Sequence, residues 1–232
     1  MRTAAILPVK RFAQAKQRLG ASVADPLRLE LARAMVGDVL AALAETDAIE
    51  LTIVVTGEPS VAATARTGAA IVIDDTAKDG QSAAVGLGVR RALDAGIERV
   101  ICIPGDCPTL DPAELQALLD ARRDVHSAPG AEVVIVPDRH GSGTNGLLLT
   151  PPEAIAPSFG PGSRERHTAL ALAAGIAARI EQPPSLLLDI DTGDDLAVLR
   201  DRLSGERIRA SRTRAVLGLP ANRPAFSATT SV

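Results

Sequence analysis

Four aspartates fall within the seven residues DIDTGDD, 189 to 195, directly after the apolar run Leu186, Leu187 and Leu188. So much negative charge beside a buried segment calls for a cationic partner, because a carboxylate stranded at the edge of an apolar core is costly. Asp189 and Asp191 are one residue apart, so on a strand both side chains leave the same face while Ile190 points to the core. Asp106, in IPGDCP, ends another apolar run; Gly105 permits a close approach there and Pro108 stops the chain from continuing as sheet. Three carboxylates of this kind suit a hard ion such as Mg²⁺, which shares its shell with substrate phosphates. Asp106, Asp189 and Asp191 are therefore the candidate metal ligands, with Asp106 also a candidate catalytic residue. Asp194 and Asp195 instead suit the first turn of a helix beginning near Gly193, capped by Asp191 or Thr192.

Lysine occurs only at positions 10, 16 and 78, and two of the three lie in PVKRFAQAKQRL. Lys10, Lys16 and Arg18 could converge on a polyphosphate, with Lys10 and Lys16 neutralising charge during catalysis. Two glycine-rich stretches, GSGTNG and FGPGSRERH, offer a second anion site. Gly160, Gly162 and Ser163 precede a helical run, so backbone N–H groups and a hydroxyl could hold a carboxylate or phosphate at its N-terminus, assisted by Thr144. The same residues also fit plain turns and an N-cap with no ligand role. His140 and His167 could transfer a proton or contact an anion, although a lone loop histidine is usually just a solvated side chain, and His126 has no motif around it. A Walker A loop is missing from the sequence, and GSGTNG, although spaced G-x-G-x-x-G, leads into the apolar run LLL and not into a helix, so it is no dinucleotide-binding turn.

The elements that must position these residues are legible from periodicity. TAAILPV (3–9), LTIVVTG (51–57), AAIVIDD (69–75), RVICIPGD (99–106) and AEVVIVPD (131–138) read as buried strands. Helical patterns span 25–46, 60–68, 81–96 and 111–123, and Asp25-Pro26 and Asp111-Pro112 each read as a capping side chain ahead of a first-turn proline. The alternation predicts a mainly parallel sheet covered on both faces, with its ligand crevice at the carboxyl ends of the strands. Beyond residue 138 the rhythm breaks into loop and strand, loop and helix, and then SLLLDIDTGDDLAVLRDRL, read as a strand turning into a helix. We expect one domain over 1–204, a nucleotide-binding half to about 138 and an acceptor-binding half after it, with 205–232 a partly disordered tail.

Composition narrows the function classes. A formal charge of -3 and a pI near 5.7 argue against nucleic acid and anionic membrane surfaces as partners. Trp and Tyr are absent and Phe occurs three times, which leaves few platforms for base stacking. The N-terminal apolar run is too short for a signal peptide or a span, so a cytoplasmic protein is expected. Cys102 and Cys107 fit neither a redox pair nor a zinc spacing and read as reduced, apolar fillers.

Lys10, Lys16, PGDCP, GTNGLLL, FGPGSRERH and DIDTGDD together make the chain resemble the guanylyltransferases of deazaflavin coenzyme F-420 biosynthesis, over about residues 3 to 203. The resemblance implies a three-layer α/β/α sandwich with a mostly parallel mixed sheet, the nucleotidyltransferase fold related to GT-A and nucleotide-diphospho-sugar transferases. It implies Mg²⁺ on Asp106, Asp189 and Asp191, a phospho-acid on Thr144, Gly160 and Ser163, and the GTP triphosphate on the loop of Lys10 and Lys16. The implied reaction joins GMP from GTP to phosphoenolpyruvate, releasing pyrophosphate. 2-Phospho-L-lactate and 3-phospho-D-glycerate are alternative acceptors, and a homodimer is allowed, since some relatives are dimeric. Molybdenum-cofactor and sugar nucleotidyltransferases carry an L-A-G-G type loop that ILPVKRF lacks; a non-catalytic nucleotide sensor is the rival from another class.

Overall fold

The computed structural model describes residues 1–12, 19, 24–75, 80–121, 130–205 and 209–220. Its strands are β1 (Thr3–Val9), β2 (Leu51–Thr56), β3 (Ile71–Ile73), β4 (Arg99–Cys102), β5 (Glu132–Pro137), β6 (Thr144–Thr150) and β7 (Ala178–Ile180). They form one sheet in the order β3-β2-β1-β4-β6-β5-β7. β6 pairs antiparallel with both β4 and β5, and every other pairing is parallel. β7, a short parallel partner of β5, lacks the β-branched run of the other strands and was not expected from the sequence.

Side-chain alternation along the strands divides the core. Ala5, Leu7, Val54 and Ile101 face one side, where they meet helices α1 (Asp25–Ala44), α2 (Pro59–Thr67) and α4 (Pro112–Asp120). Ala4, Ile6, Val100 and Cys102 face the other, against α3 (Gln81–Asp94) and α5 (Ser163–Ala173). The result is the expected three-layer sandwich. A third cluster joins Leu31 and Met35 of α1 to Leu188, Ile190 and the inner face of α6 (Gly193–Gly205). α1 is therefore covered on two sides, which explains its nearly continuous apolar composition.

Local capping follows the sequence at one of the two expected sites. Asp111 accepts a 2.7 Å hydrogen bond from the N–H of Ala113 and caps α4. Asp25 lies inside α1, whose capping position is Ala24, and it pairs with Arg28 at 3.0 Å instead. Within the tail from 205, residues 211–216 form a further helix, α7, that no sequence period marks. Its N-terminal N–H groups at Arg212 and Thr213 donate to the buried carboxylate of Asp38 on α1, at 3.0 and 2.8 Å. That cap comes from a residue about 170 positions away, so no local period announces it.

Candidate active site

A cavity of about 600 Å³ opens at the carboxyl edge of the sheet, a size suited to a small-molecule site. Lys10 enters it from the end of β1, Gly105 and Asp106 from the turn after β4, and Asp189 and Asp191 from the segment before α6. Thr144 arrives by a different route: because β6 runs against its neighbours, its first residue stands where the others end. Gly160 and Ser163 complete the far wall, and Asp75, Gly80 and Gln81 line the side nearest α3. Lys10, Asp106, Thr144, Gly160, Ser163, Asp189 and Asp191 thus share one cleft. Lys16 and Arg18 lie outside the described residues.

The DIDTGDD segment is held without strand pairing, contrary to the strand expected. Pro184–Leu186 is a short 3-10 turn, Leu187 continues it in right-handed helical backbone, and 188–191 belongs to no strand or helix. Burial still alternates, with Leu188 and Ile190 inside and Asp189 and Asp191 lining the cavity, so the same-face placement holds without a strand. Individual contacts replace the ladder. The Ile190 N–H donates to the carbonyl of Asp106 at 3.1 Å. Thr109 Oγ1 donates to the Ser185 carbonyl at 3.2 Å, and the Ser185 N–H donates to Glu114 at 2.9 Å. Asn145, which sequence reasoning passed over inside GSGTNG, donates through Nδ2 to the Leu186 carbonyl at 2.9 Å and to Asp189 Oδ1 at 3.2 Å. These bonds fasten the 185–190 segment both to residues 106–114 and to Asn145, making one acidic wall.

Asp189 is raised to about 6, first by burial and then by the neighbouring charges of Asp106 and, more weakly, Asp191. A carboxylate pushed up by burial and by neighbouring carboxylates favours a cation beside it. Among the described residues no group of three or more acidic, histidine or cysteine side chains is placed to hold a metal ion together. Mg²⁺ does not require one, since it commonly takes one or two carboxylates and completes its octahedron with water and phosphate oxygens. The donor set fits such an ion.

Asp195 has a larger role than helix-dipole compensation. It is 4% exposed, and its Oδ2 accepts from Thr192 N–H at 2.7 Å, Thr192 Oγ1 at 2.8 Å and Asp191 N–H at 3.1 Å. The Asp195 N–H returns a bond to Thr192 Oγ1 at 3.2 Å, closing a reciprocal cap, and Oδ1 pairs with Arg139 at 2.5 Å. Burial raises this carboxyl, but the Thr192 and Asp191 donors and Arg139 outweigh it and hold the group below the usual range.

On the basic side, Phe12 sits in the core and its N–H donates to Glu58 Oε2 at 3.1 Å, anchoring the chain just beyond Lys10. Glu58 also caps α2 through Ser60, and these donors hold its carboxyl low despite burial. Gly105 is required by contact, since a Cβ there would stand 2.9 Å from Val36 Cγ2.

The loop of Gly160 and Gly162 is braced by a neighbouring arginine. Gly160 and Gly162 both have positive φ, +109° and +71°, which glycine adopts without strain. Arg166 reaches the carbonyls of Ser158 and Phe159 at 3.0 and 3.1 Å and also that of Pro161. Ser163 Oγ lies 3.1 Å from Thr144 Oγ1. His167 is no solvated loop residue: it lies on α5 with 0% exposure and touches both Thr144 and Ser158. Its position four residues after Ser163, one helical turn, was the available signal. Cys102 and Cys107 are buried free thiols, as read from the sequence, and burial raises Cys102 to about 12. No helix among the described residues is long and apolar enough to cross a membrane.

Comparison with known proteins agrees with this geometry. A curated phosphoenolpyruvate guanylyltransferase of Conexibacter woesei is 48% identical over 217 residues, 94% of this chain and 96% of the relative. One of Rubrobacter xylanophilus, bearing the same name, is 40% identical over 197 residues, 84% of this chain and 92% of its own length. Among solved structures, a protein of Desulfovibrio desulfuricans G20 assigned as a nucleotide-diphospho-sugar transferase superposes with a TM-score of 0.70 at 18% identity, covering 94% of this chain and 95% of that one. CMP:2-keto-3-deoxy-manno-octonic acid synthetase superposes with a TM-score of 0.60 at 13% identity, covering 88% and 98%. The fold is thus that of the nucleotide-diphospho-sugar transferases. With the family model described as "Guanylyl transferase CofC like" matching residues 3–211, the chain belongs to that guanylyl transferase family.

Proposed function

We propose that this protein transfers GMP from GTP to the phosphate of phosphoenolpyruvate, yielding enolpyruvyl-2-diphospho-5'-guanosine and pyrophosphate, with Mg²⁺ as cofactor and in the synthesis of coenzyme F-420. The observation that carries the reading is one cleft lined by Asp106, Asp189 and Asp191 together with Thr144, Gly160, Ser163 and Lys10. Two anionic substrates repel each other, and a cleft of this composition offers both a separate seat and charge neutralisation between them. The names of the relatives, at up to 48% identity, favour phosphoenolpyruvate as the acceptor.

The acceptor phosphate has a second pKa of about 6 and is largely ionised at neutral pH, so its attack on the α-phosphate needs no general base. Accordingly, the chain's residues bind and orient. Lys10 offsets charge on the triphosphate, and Thr144, Ser163 and the Gly160 loop hold the acceptor's anionic groups. Asp106 and Asp189, with Asp191, would hold the divalent ion. When bound, the ion neutralises phosphate oxygens and assists departure of pyrophosphate.

The test is a pyrophosphate-release assay offering phosphoenolpyruvate, 2-phospho-L-lactate or 3-phospho-D-glycerate with GTP, ATP or CTP, with and without Mg²⁺. Turnover is expected with phosphoenolpyruvate, GTP and Mg²⁺; turnover with a different pair reassigns the substrates. Nucleotide binding without release under every condition would overturn the enzyme reading.

A further inference from the structure

The acceptor wall is organised around a buried imidazole that the mechanism above leaves without a task. His167 has its ring edge-on to Phe159, with centroids 5.1 Å apart and planes at 74°. Nε2 lies 2.9 Å from the backbone N–H of Ser158. A backbone amide can only donate, so Nε2 supplies the lone pair and the neutral ring carries its proton on Nδ1. Nδ1 is 3.1 Å from Thr144 Oγ1, which makes that hydroxyl the acceptor. Thr144 Oγ1 and Ser163 Oγ, 3.1 Å apart, then share one hydrogen bond. Whichever of the two donates, one hydroxyl hydrogen remains, and both residues line the cavity.

Resting on the reading of this wall as the acceptor site, we propose that His167 is a positioning residue that sets the hydrogen-bond polarity of the Thr144–Ser163 pair. The site thereby presents an O–H donor to an anionic oxygen, carboxylate or phosphate, of a small phospho-acid. With the opposite tautomer, Thr144 could donate to the ring, and lone pairs would be left to meet the same anion. The surroundings hold the ring neutral: burial first, then the adjacent Arg166 charge, lower His167 to about 4. Arg166 is occupied behind the ring by the carbonyls of Ser158, Phe159 and Pro161, so the loop that donates to Nε2 is itself fixed.

Two measurements on the full chain test this. The protein has three histidines, so ¹⁵N–¹H correlation spectra of the imidazoles can resolve each tautomer. His167, assigned by its loss in His167→Gln, is expected as the Nδ1–H form, not titrating between about pH 5.5 and 8. An Nε2–H tautomer, or titration near the ordinary value, overturns the proposal whatever the substrates prove to be. The second measurement is kinetic. Asn places an amide N–H where Nδ1 stands and can still donate to Thr144, whereas Gln reaches the Nε2 position and can serve Ser158 alone. His167→Gln is expected to raise KM for phosphoenolpyruvate about 10-fold or more with KM for GTP unchanged, as for loss of a hydrogen bond to a charged group. His167→Asn should stay within about threefold of the parent, since the donor survives. Equal effects of the two, or parallel shifts in both KM values, would reduce His167 to a structural support. If the unsubstituted protein fails to turn over the pair, the proposed function falls while the spectra still decide the tautomer.

Discussion

Replacing Asp195 with Ala removes a single carboxylate on which the start of α6 and the placement of Asp191 both depend. Oδ2 accepts from Thr192 N–H, Thr192 Oγ1 and Asp191 N–H, while Oδ1 pairs with Arg139, whose side chain is 29% exposed. Loss of a helix cap costs about 1 kcal/mol, rising to ~2 kcal/mol where the cap is buried. Breaking a buried ion pair costs about 3–5 kcal/mol, but partial exposure of Arg139 discounts that to roughly 1–2 kcal/mol. Together these predict a loss of about 3 kcal/mol, read as a drop in Tm of roughly 6–12 °C for a domain of this size. Asp195→Asn keeps acceptor oxygens and loses the charge, so about half the effect is expected, and coupling to Arg139→Gln in a double-mutant cycle should be about 1 kcal/mol. pH supplies an independent check. The folded-state carboxyl is held below its unfolded value, so its stabilisation is present above the unfolded value and lost as pH falls through the folded one. The acid limb of the stability profile should therefore flatten in Asp195→Asn. Urea unfolding monitored by circular dichroism across pH measures all of this. A change in stability below about 0.5 kcal/mol for Asp195→Ala would refute the cap and ion-pair reasoning.

Three further outcomes follow from the same structure. Asp106→Asn and Asp189→Asn should unfold no earlier than the parent, because each relieves repulsion among clustered carboxylates, yet lower kcat about 100-fold or more; steady-state kinetics beside thermal melts will show whether the two effects separate. His167, buried and lowered to about 4, should contribute stability that is present above its unfolded value near 6.5 and lost as pH falls toward 4. The amount is on the order of 3 kcal/mol, and urea titrations of the parent and His167→Gln should converge at the acid end of that window. Asp38→Ala should release α7 at a cost of about 2 kcal/mol, seen as faster amide exchange at Arg212 and Thr213, with protection elsewhere in the sheet retained.

Much of the cleft is legible before folding because a parallel sheet collects its loops at one edge. Strand-end residues such as Lys10 and Asp106 could thus be assigned to a common site from position alone. Asp189 and Asp191 both line the cleft although their segment joins no sheet, because Leu188 and Ile190, before and between them, are drawn into the core and leave the carboxylates on the other side. Residues that act through others left weaker traces. Asn145 carries no motif for clamping Asp189, and Asp195 reads as an ordinary first-turn acid until its partner Arg139, 56 positions earlier, is brought against it. His167 was taken for a solvated side chain because burial of a helix face bearing Ser, His and Ala is not announced by an apolar stripe. The α7 helix is invisible for a similar reason: six residues cannot sustain a period, and the carboxylate that caps them sits on α1.

The amino-acid sequence by itself determined the layered α/β architecture, most strand positions and the chemical types gathered at the carboxyl edge. Those depend on period and on residue identity, which are local properties of a chain. Tertiary structure alone decided that β6 runs backwards and delivers Thr144 to that edge, that Asp106 is close enough to raise Asp189, and that a buried imidazole stands against the Thr144 hydroxyl. Distances and hydrogen-bond directions between remote segments arise only once the chain has packed, because no local preference encodes them.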